Sequence, residues 1–346
     1  MRSFILFCLL LSVGITSLQA QEQTYRVGLI GFYNFENLFD TLDTPDVRDT
    51  EFSPTGSKLY GTRIYREKLG NLAQVISEMG TDLSTDGLAL LGVAEVENRS
   101  VLEDFVKEPA IAERNYQIVH YDSPDKRGID VGLLYNPKYF QVESSRAVPL
   151  EIFTPAGERK YTRDILFVSG KFDGEQVYVM VNHWPSRSGG EKNTQEYRNA
   201  AAFICKSIVD SLYQVDPMAK VIIMGDLNDD PISPSIKKVL HAKGKAAQTG
   251  KKDIFNPMYE PFKSGNGTLT WNGAWNLFDQ ILITSPWLDK KQDGYFYQQV
   301  EIYKKPYLLQ RTGKYKGSPH RTFSGDLYIG GYSDHLPVYI VLLKRM

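Results

Sequence analysis

Cysteine is almost absent from this sequence, which contains Cys8 and Cys205 and no other thiol. Cys8 lies in an amino-terminal segment that we expect to be removed, so the mature chain would keep only Cys205. A single thiol cannot form an internal disulfide, and it cannot supply a cysteine-rich zinc site. The apolar, helix-like surroundings of Cys205 indicate a small buried residue and not a nucleophile.

The sequence also lacks an excess of charge of either sign. Lys and Arg number 40 and Asp and Glu number 41, which gives a net charge of -1. Attraction of the whole chain to nucleic acid or to an anionic membrane is therefore excluded, and any polyanion must bind to a local patch. With 42% hydrophobic and 23% charged residues, the composition excludes a collagen-like or a wholly disordered chain.

Long hydrophobic runs are absent beyond the amino terminus. There, Arg2 precedes the apolar residues 4–11, and the small residue Ala20 precedes the polar residues 21–23. This layout predicts a signal peptide over residues 1–20, and the apolar run is short for a transmembrane helix, although an uncleaved anchor stays open. We therefore expect a secreted or periplasmic protein with no stable membrane insertion after cleavage.

Strand-like and helix-like patterns alternate along the mature sequence. Apolar, β-branched runs predict strands, and apolar residues recurring every three or four positions predict helices. The predicted strands cover residues 27–33, 87–96, 129–135, 163–172, 176–183, 220–224, 277–284 and 336–343, and the predicted helices cover residues 63–79 and 191–213. Because hairpin-linked and helix-linked strands are mixed, we predict one α/β domain over residues 21–346, with two packed mixed β-sheets and helices outside.

Acidic, amide and imidazole side chains recur where the predicted strands end. The residues concerned are Asn34, Glu95, His183, Asp226, Asn228, Asp279, Asp334 and His335. Carboxylate and amide oxygens gathered at sheet edges suit a hard divalent cation such as Mg²⁺, Mn²⁺ or Ca²⁺. Two histidines among carboxylates suit proton transfer and charge stabilisation at a phosphate.

Six short segments that contain these residues carry a family resemblance. In chain order they are residues 32–37 (FYNFEN), 94–98 (AEVEN), 128–135 (GIDVGLLY), 181–184 (VNHW), 225–229 (GDLND) and 333–337 (SDHLP). The ordered set resembles the endonuclease/exonuclease/phosphatase superfamily, which includes pancreatic deoxyribonuclease and bacterial sphingomyelinases. The resemblance spans about residues 25–345. It implies a four-layer α/β sandwich and metal-dependent hydrolysis of phosphoric esters.

The resemblance implies a role for each residue of the expected metal site. Glu95 would be the main metal ligand, helped by Asn34 and Asp334. Asp226 would orient or deprotonate the attacking water, or would hold a second metal. Mg²⁺ is the expected ion, with Mn²⁺ and Ca²⁺ as alternatives.

The resemblance also implies which residues handle protons. His335 would donate to a phosphate oxygen, with Asp279 as its orienting carboxylate. His183 matches the histidine of deoxyribonuclease-like and sphingomyelinase-like members, and Asp130 matches its carboxylate partner. Abasic-site endonucleases differ at the position of His183, which argues against that specialised repair role.

The resemblance also implies that three residues bind the substrate. Asn228 would hydrogen-bond the scissile phosphate, and Asn276 is expected to contact the substrate beside it. Arg163 matches a phosphate-contacting arginine that precedes a strand. Trp184, which follows His183, is a departure from the family pattern that the sequence does not explain.

Two stretches of the sequence each allow two interpretations. Trp271, Trp275 and Phe278 flank the turn 272–274 and form either core with a turn or a rim that contacts substrate. The basic stretch 304–321 interleaves Lys and Arg with tyrosines and is either a surface that follows a phosphate backbone or a solvated loop.

These observations predict an exported metal-dependent phosphoesterase that acts as a monomer. The first interpretation is a nuclease that cleaves DNA or RNA by attack of activated water. The alternatives are a phosphatase or phosphodiesterase acting on phospholipid head groups, inositol phosphates or nucleotides, and a catalytically inactive binding protein. The expected partner is a phosphate ester, with nucleic acid first.

Overall fold

The computed structural model describes residues 23–346, so the predicted signal peptide lies outside the described residues. The strands of the two large sheets are β1 (Tyr25–Leu38), β2 (Leu90–Val96), β3 (Gln117–His120), β4 (Asp130–Tyr135), β5 (Phe140–Val148), β6 (Ile165–Phe172), β7 (Glu175–His183), β8 (Lys220–Asp226), β9 (Ile254–Phe255), β10 (Asp279–Thr284), β11 (Tyr295–Ile302) and β12 (Val338–Arg345). The α-helices are α1 (Thr62–Glu78), α2 (Arg99–Phe105), α3 (Glu191–Val215) and α4 (Tyr259–Lys263).

Both large sheets are mixed and contain six strands each. The first sheet has the order β11-β12-β1-β2-β4-β3, and the second has the order β9-β10-β8-β7-β6-β5. In each sheet one central pair is parallel, β1 with β2 and β7 with β8, and the other pairs are antiparallel. Three short two-stranded ribbons, which include Leu269–Trp271 paired with Ala274–Asn276, project from the connections.

The alternation of side chains along the central strands produces four layers. On β1, Ile30 and Phe32 point between the two sheets, whereas Leu29 and Tyr33 point to the other face and pack with α1. On β8, Ile222 and Met224 point between the sheets, and Val221 and Ile223 pack with α3. The predicted α/β sandwich of two mixed sheets flanked by helices is therefore confirmed.

The two long helices lie where the periodicity predicts them. α1 buries Leu69, Leu72 and Ile76 against the first sheet, and α3 buries Cys205 and Val209 against the second. The Cys205 side chain is fully buried, and burial raises the pKa of its thiol above the usual range, which agrees with a packing role.

Four edge strands, β3, β5, β9 and β11, have no counterpart in the sequence-based prediction, and the longer two are β5 and β11. Both lie at an edge of their sheet, and both contain runs of polar residues because only part of each strand is buried. Their strand conformation comes from pairing with β6 and β12, which no local pattern reveals. Within residues 23–346, no helix combines the length and the apolar character needed to cross a bilayer.

Candidate functional site

Strand direction brings Asn34, Glu95, His183 and Asp226 together. β1 runs parallel to β2 in the first sheet, and β7 runs parallel to β8 in the second, so the carboxyl ends of each pair lie side by side. Asn34 Nδ2 donates a hydrogen bond to Asp226 Oδ2 at 3.1 Å, which joins the two sheets at this edge. Four residues that are far apart in sequence therefore line one cleft.

Asp279 and His335 reach the same edge from the opposite direction. Asp279 is the first residue of β10, which is antiparallel to β8, and it pairs in register with Asp226. His335 shortly precedes β12, whose first residue pairs with Phe32, two residues before Asn34 on β1. An antiparallel strand begins where its neighbour ends, so both residues arrive beside Asp226.

The backbone departs from regular strand geometry where the site side chains project. Glu95 has φ +58° and lies in a bulge of β2, where the register with β4 shifts between Ala94 and Val96. Asn228 has φ +48°, also in the left-handed region. Such conformations cost free energy, about 1–3 kcal/mol each, and persist where surrounding contacts fix them. Both residues are thereby turned out of the strand alternation.

Gly225 is required by the close approach of β7 to β8. A Cβ at this position would lie 2.2 Å from Asn182 O and 2.7 Å from Asn182 Cβ. We expect Gly225→Ala to lower the free energy of unfolding by about 1–3 kcal/mol, because overpacking displaces the strand that carries Asp226. Urea denaturation would measure the loss. Gly61→Ala is the matched control, since its Cβ would meet nothing within 4 Å, and equal stability of both variants would contradict the prediction.

His335, Asp279 and Asp226 form a hydrogen-bonded acid–base group. His335 Nδ1 and Asp279 Oδ2 lie 2.6 Å apart, and His335 Nε2 faces Asp226 Oδ2 at 3.9 Å. Although burial lowers the pKa of His335, the adjacent Asp279 and Asp226 raise it well above the usual range. The raised pKa favours the protonated imidazolium, which Asp279 orients and which can donate from Nε2.

Two hydrogen bonds, in addition to the contact with His335, hold the Asp226 carboxylate. Its Oδ2 accepts from Asn34 Nδ2, and its Oδ1 accepts from Asn228 N at 3.0 Å. Burial raises the pKa of Asp226, and the carboxylate of Asp279 raises it further. A carboxylate with a raised pKa is a better proton acceptor, which suits a group that activates water.

Glu95 and His183 face each other across the opening of the cleft. Glu95 Oε2 accepts from Asn37 N at 3.0 Å, and Glu95 Oε1 lies 3.9 Å from His183 Nε2. Burial lowers the pKa of His183 well below its usual range, and the positive charges of Arg163 and Arg127 lower it further. The lowered pKa favours the neutral form of His183. Within the described part of the chain, its buried Nδ1 has no hydrogen-bond partner.

A layer of buried charge lies beside Asp334. Arg321 donates from Nη2 to Asp334 Oδ2 at 2.9 Å and from Nε to Glu36 Oε1 at 3.2 Å. Lys68 is fully buried and donates to Thr322 Oγ1 at 2.6 Å. Burial raises the pKa of Glu36. Burial lowers the pKa of Lys68 to about 8, and the negative charges of Asp334 and Glu95 act against that lowering. Asp334 and Glu95 therefore both lie within electrostatic range of Lys68.

The structure does not support a phosphate contact for Arg163. Its guanidinium is buried and donates to Asp125 Oδ2 at 2.9 Å, to His183 O at 3.2 Å and to Trp184 O at 2.7 Å. The side chain points inward because a buried carboxylate and two carbonyls satisfy it there. Arg163 therefore positions the backbone of His183 and is not exposed to substrate.

Asp130 also differs from the prediction, because it contacts His120 and not His183. Asp130 Oδ2 lies 3.3 Å from His120 Nε2, and its Oδ1 accepts hydrogen bonds from Ser123. The antiparallel pairing of β3 with β4 places His120 near the start of β4, where Asp130 lies. The predicted His183–Asp130 pair is therefore absent from the described contacts.

Asn276 lies in the short ribbon before β10. Its Nδ2 donates to Ala274 O at 3.4 Å, and its carbonyl accepts from Thr268 N at 2.8 Å. Thr268 in turn binds Leu336 N and Asp279 N, so the ribbon rises directly from the site. A substrate contact by the Asn276 side chain stays a prediction.

Trp184 has a structural explanation. Its side chain is fully buried, and Nε1 donates to Asn182 Oδ1 at 3.0 Å. Its carbonyl accepts from Asn228 Nδ2 at 3.0 Å, and its own N–H donates to Asp226 O at 2.9 Å. Trp184 thus holds the loop after β8 against the loop after β7. One amide hydrogen of Asn228 remains for another acceptor.

Sequence reasoning missed Arg127, which lies at the mouth of the cleft. Its Nη2 is 3.8 Å from Glu95 Oε1, and the side chain is 46% exposed. Arg127 lies in the connection between β3 and β4, where no periodic pattern marks a residue. Its neighbour Lys126 stacks over Tyr161 at 5.6 Å.

The aromatic and basic stretches divide between core and surface. Phe278 is buried, and Arg187 lies over its ring at 4.4 Å. Trp275 is half-buried, with Lys304 Nζ 3.9 Å from its ring centroid, whereas Trp271 at the tip of the ribbon is 71% exposed. Trp275 therefore packs partly against the core, Phe278 is buried beneath Arg187, and Trp271 is left exposed as a rim.

The donor set of the cleft fits a divalent cation. The carboxylates of Glu95, Asp226 and Asp334 and the side-chain amide of Asn34 belong to the oxygen ligand types that Mg²⁺ and Mn²⁺ prefer. Ligand atoms of Asp226, Asp279 and His335 also lie within 4.8 Å of one another, but the hydrogen bond between His335 and Asp279 accounts for that proximity.

Both the sequence and the fold of this chain are similar to those of known proteins. A model of the Endonuclease/Exonuclease/phosphatase family matches residues 29–344. The structure of D. rerio TDP2 complexed with a single strand DNA product has a TM-score of 0.52 and 14% identity, and the match covers 91% of this chain and 98% of that chain. No curated protein matches the sequence.

Two bacterial structures are similar to the same extent. An endonuclease/exonuclease/phosphatase family protein from Bacteroides thetaiotaomicron has a TM-score of 0.55 and 13% identity, covering 93% of this chain and 100% of that chain. A mannosyl-6-phosphatase from the same organism has a TM-score of 0.53 and 13% identity, covering 91% and 99%. At these identities the likeness concerns the fold alone.

Proposed function

Since this chain belongs to the endonuclease/exonuclease/phosphatase family, we propose that it is a metal-dependent nuclease that hydrolyses phosphodiester bonds of DNA or RNA. Family membership supports the hydrolysis of phosphoric esters. The choice of nucleic acid as substrate depends on the surface beside the cleft, and the existence of a TDP2 structure with a DNA product on the same fold supports it.

Basic and aromatic side chains on both sides of the cleft carry the proposal. On one side, Lys126 and Arg159 each lie over Tyr161, at 5.6 and 5.2 Å. On the other side, Lys304 lies over Trp275, and Trp271 is exposed at the tip of the same ribbon. Cations that follow a phosphate backbone and aromatic faces that stack on bases are the usual means of binding single strands.

In this proposal Asp226 and the side chains around it have separate roles in hydrolysis. Asp226 accepts a proton from the attacking water or orients it, His335 donates from Nε2 to a phosphate oxygen, and Asn228 donates its free amide hydrogen to another. Glu95, Asn34 and Asp334 would hold the cation, for which we propose Mg²⁺. When bound, that ion would act as a Lewis acid and neutralise phosphoryl charge.

A substrate comparison tests the proposal. The substrates are a labelled single-stranded DNA, an RNA of the same length, bis-p-nitrophenyl phosphate and mannose 6-phosphate, each with Mg²⁺ or Mn²⁺. Trp271→Ala and Lys126→Glu change exposed rim residues, so neither is expected to alter the fold. Loss of one stacked base costs about 1–3 kcal/mol. We therefore expect Trp271→Ala to weaken DNA cleavage roughly 5- to 150-fold at low substrate concentration.

Hydrolysis of bis-p-nitrophenyl phosphate should be unchanged in the rim variants, because that substrate does not reach the rim. Lys237→Glu, at an exposed lysine of another segment, is the charge-matched control, and His183→Ala is the inactive control. Equal loss on DNA and on the small diester would contradict the nuclease assignment.

A phosphatase is the second candidate function, and one observation supports it. Two half-exposed guanidinium groups, of Arg127 and Arg321, lie next to Glu95 and Asp334, and they would complement a doubly charged terminal phosphate. Rapid hydrolysis of mannose 6-phosphate with no cleavage of DNA would favour it.

We also propose that the enzyme is exported. The support is the amino-terminal pattern of Arg2, the apolar residues 4–11 and the small residue Ala20. Amino-terminal sequencing of protein from the periplasm or the medium would test it, with a start after residue 20 as the expected result.

A further inference from the structure

A second cluster of metal-ligating side chains lies at the base of the connection between β3 and β4. His120 is the last residue of β3, and Asp130 is the first residue of β4. Ligand atoms of His120, Asp122 and Asp130 all lie within 4.8 Å of one another. The cluster therefore joins both ends of the connection over residues 121–129, which carries Asp125 and Arg127.

The His120 imidazole has a buried nitrogen that the protein does not satisfy. Its side chain is 2% exposed, and across residues 23–346 its Nε2 finds no hydrogen-bond partner. Asp130 Oδ2 is 3.3 Å away but not in hydrogen-bond geometry. A buried imidazole nitrogen without a well-aligned partner is costly, so an ion between His120 and Asp130 would stabilise both side chains.

The distance between these two atoms is that expected for two ligands of one ion. Nitrogen and oxygen ligands lie about 2.0–2.1 Å from zinc in tetrahedral sites, which places neighbouring ligand atoms about 3.3–3.4 Å apart. Asp130 is oriented for the task, because Ser123 N donates to its Oδ1 at 2.9 Å and leaves Oδ2 facing the imidazole. Carboxylates that bind metals are commonly held in this way by a second hydrogen bond.

We propose that His120, Asp122 and Asp130 bind a divalent transition-metal ion, with Zn²⁺ as the best match. One imidazole nitrogen and two carboxylate oxygens favour zinc or manganese over Ca²⁺, which prefers oxygen ligands alone. Asp122 Oδ1 lies 3.8 Å from His120 Nδ1, the ring nitrogen that does not face Asp130. Because the Asp122 side chain is 88% exposed, it is free to turn toward an ion that His120 Nε2 and Asp130 would hold.

The ion would fix the connection that reaches the cleft. Asp125 in this connection accepts from Arg163 Nη1 at 2.9 Å, and Arg163 holds the carbonyl of His183. Arg127, two residues later, lies 3.8 Å from Glu95. A metal at the base of the connection therefore orders the segment that places Arg127 beside the cleft, and it takes no part in the chemistry.

Zinc stoichiometry of the full chain tests the proposal. Equilibrium dialysis against Zn²⁺ in the presence of excess Mg²⁺ would compare the unchanged protein with Asp122→Asn, His120→Gln and Glu95→Gln. We expect Asp122→Asn and His120→Gln each to weaken the binding of one zinc equivalent at least about tenfold, because even outer-shell changes at metal sites cost 10- to 100-fold. Glu95→Gln should keep that equivalent.

Asp122→Asn keeps the test decisive if His120→Gln does not fold, because the Asp122 side chain is almost fully exposed. The matched control is Asp293→Asn, an exposed aspartate before β11 at the opposite edge of the first sheet. Trypsin gives a second measurement, since Zn²⁺ should slow cleavage at Lys126 and Arg127 in the unchanged protein but not in Asp122→Asn. The same zinc stoichiometry and the same cleavage rate in all variants would overturn the proposal, whatever the substrate of the cleft.

Discussion

Replacement of His335 by alanine is expected to lower kcat by about 10²–10⁴-fold, the usual contribution of a general acid or base. The reason is geometric, because His335 Nε2 is the donor that faces the cleft while its Nδ1 is held by Asp279 at 2.6 Å. Steady-state kinetics on bis-p-nitrophenyl phosphate measures the effect without any contribution from the rim. His241→Asn is the control, since His241 is exposed and its left-handed backbone tolerates asparagine.

The pH profile of Asp279→Asn gives an independent check on the same pair. In the unchanged protein Asp279 raises the pKa of His335, so the donating imidazolium persists to higher pH and activity falls as pH rises through that pKa. Without the Asp279 carboxylate, only Asp226 and Asp334 oppose the effect of burial, so the pKa of His335 falls. The alkaline limb of kcat should therefore move to lower pH. If the alkaline limb of the kcat profile stayed at the same pH in Asp279→Asn, the role of His335 as the proton donor would be contradicted.

Glu95→Gln is expected to abolish the dependence of activity on Mg²⁺ and to reduce kcat/KM by roughly 10³-fold or more. A metal ion contributes several kcal/mol to such a reaction, and each 1.36 kcal/mol corresponds to a tenfold change in rate. Glutamine keeps the size of the side chain and an acceptor for Asn37 N, but it removes the negative charge that would hold the ion. The thermal shift caused by Mg²⁺ should disappear with the activity.

Glu97→Gln is the matched control for that substitution. Glu97 lies two residues further along, is buried, and accepts hydrogen bonds from Asp40 N and Thr44 Oγ1 instead of facing the cleft. Burial raises the pKa of Glu97 to about 7, so a neutral amide is tolerated there. If Glu97→Gln lost the Mg²⁺ response and Glu95→Gln kept it, the assignment of the metal ligand would be wrong.

The sequence predicts the cleft well because its residues lie at the ends of buried strands. Asn34, Glu95 and Asp226 each follow an apolar run, and parallel pairing brings the ends of such runs together. The two-sheet architecture follows from the same runs, since strands of this kind are buried on both faces.

The sequence does not reveal which way an individual side chain turns outside a regular strand. Arg163 is drawn inward by Asp125, which is distant in sequence and lies in an irregular connection. Asp130 meets His120 because of the pairing of β3 with β4, and that pairing depends on a turn whose length no pattern fixes. Arg127 has no periodic context, so its position beside Glu95 is visible only in the folded chain.

The hydrogen bond between Asn34 and Asp226 links residues 192 positions apart. Neither half of the protein contains the reactive group, and His335 is supplied only by the segment before the last strand. The growing polypeptide is therefore expected to be inactive until synthesis has passed His335 and both sheets have docked. If the chain is the exported nuclease proposed above, this order would delay hydrolysis until folding finishes.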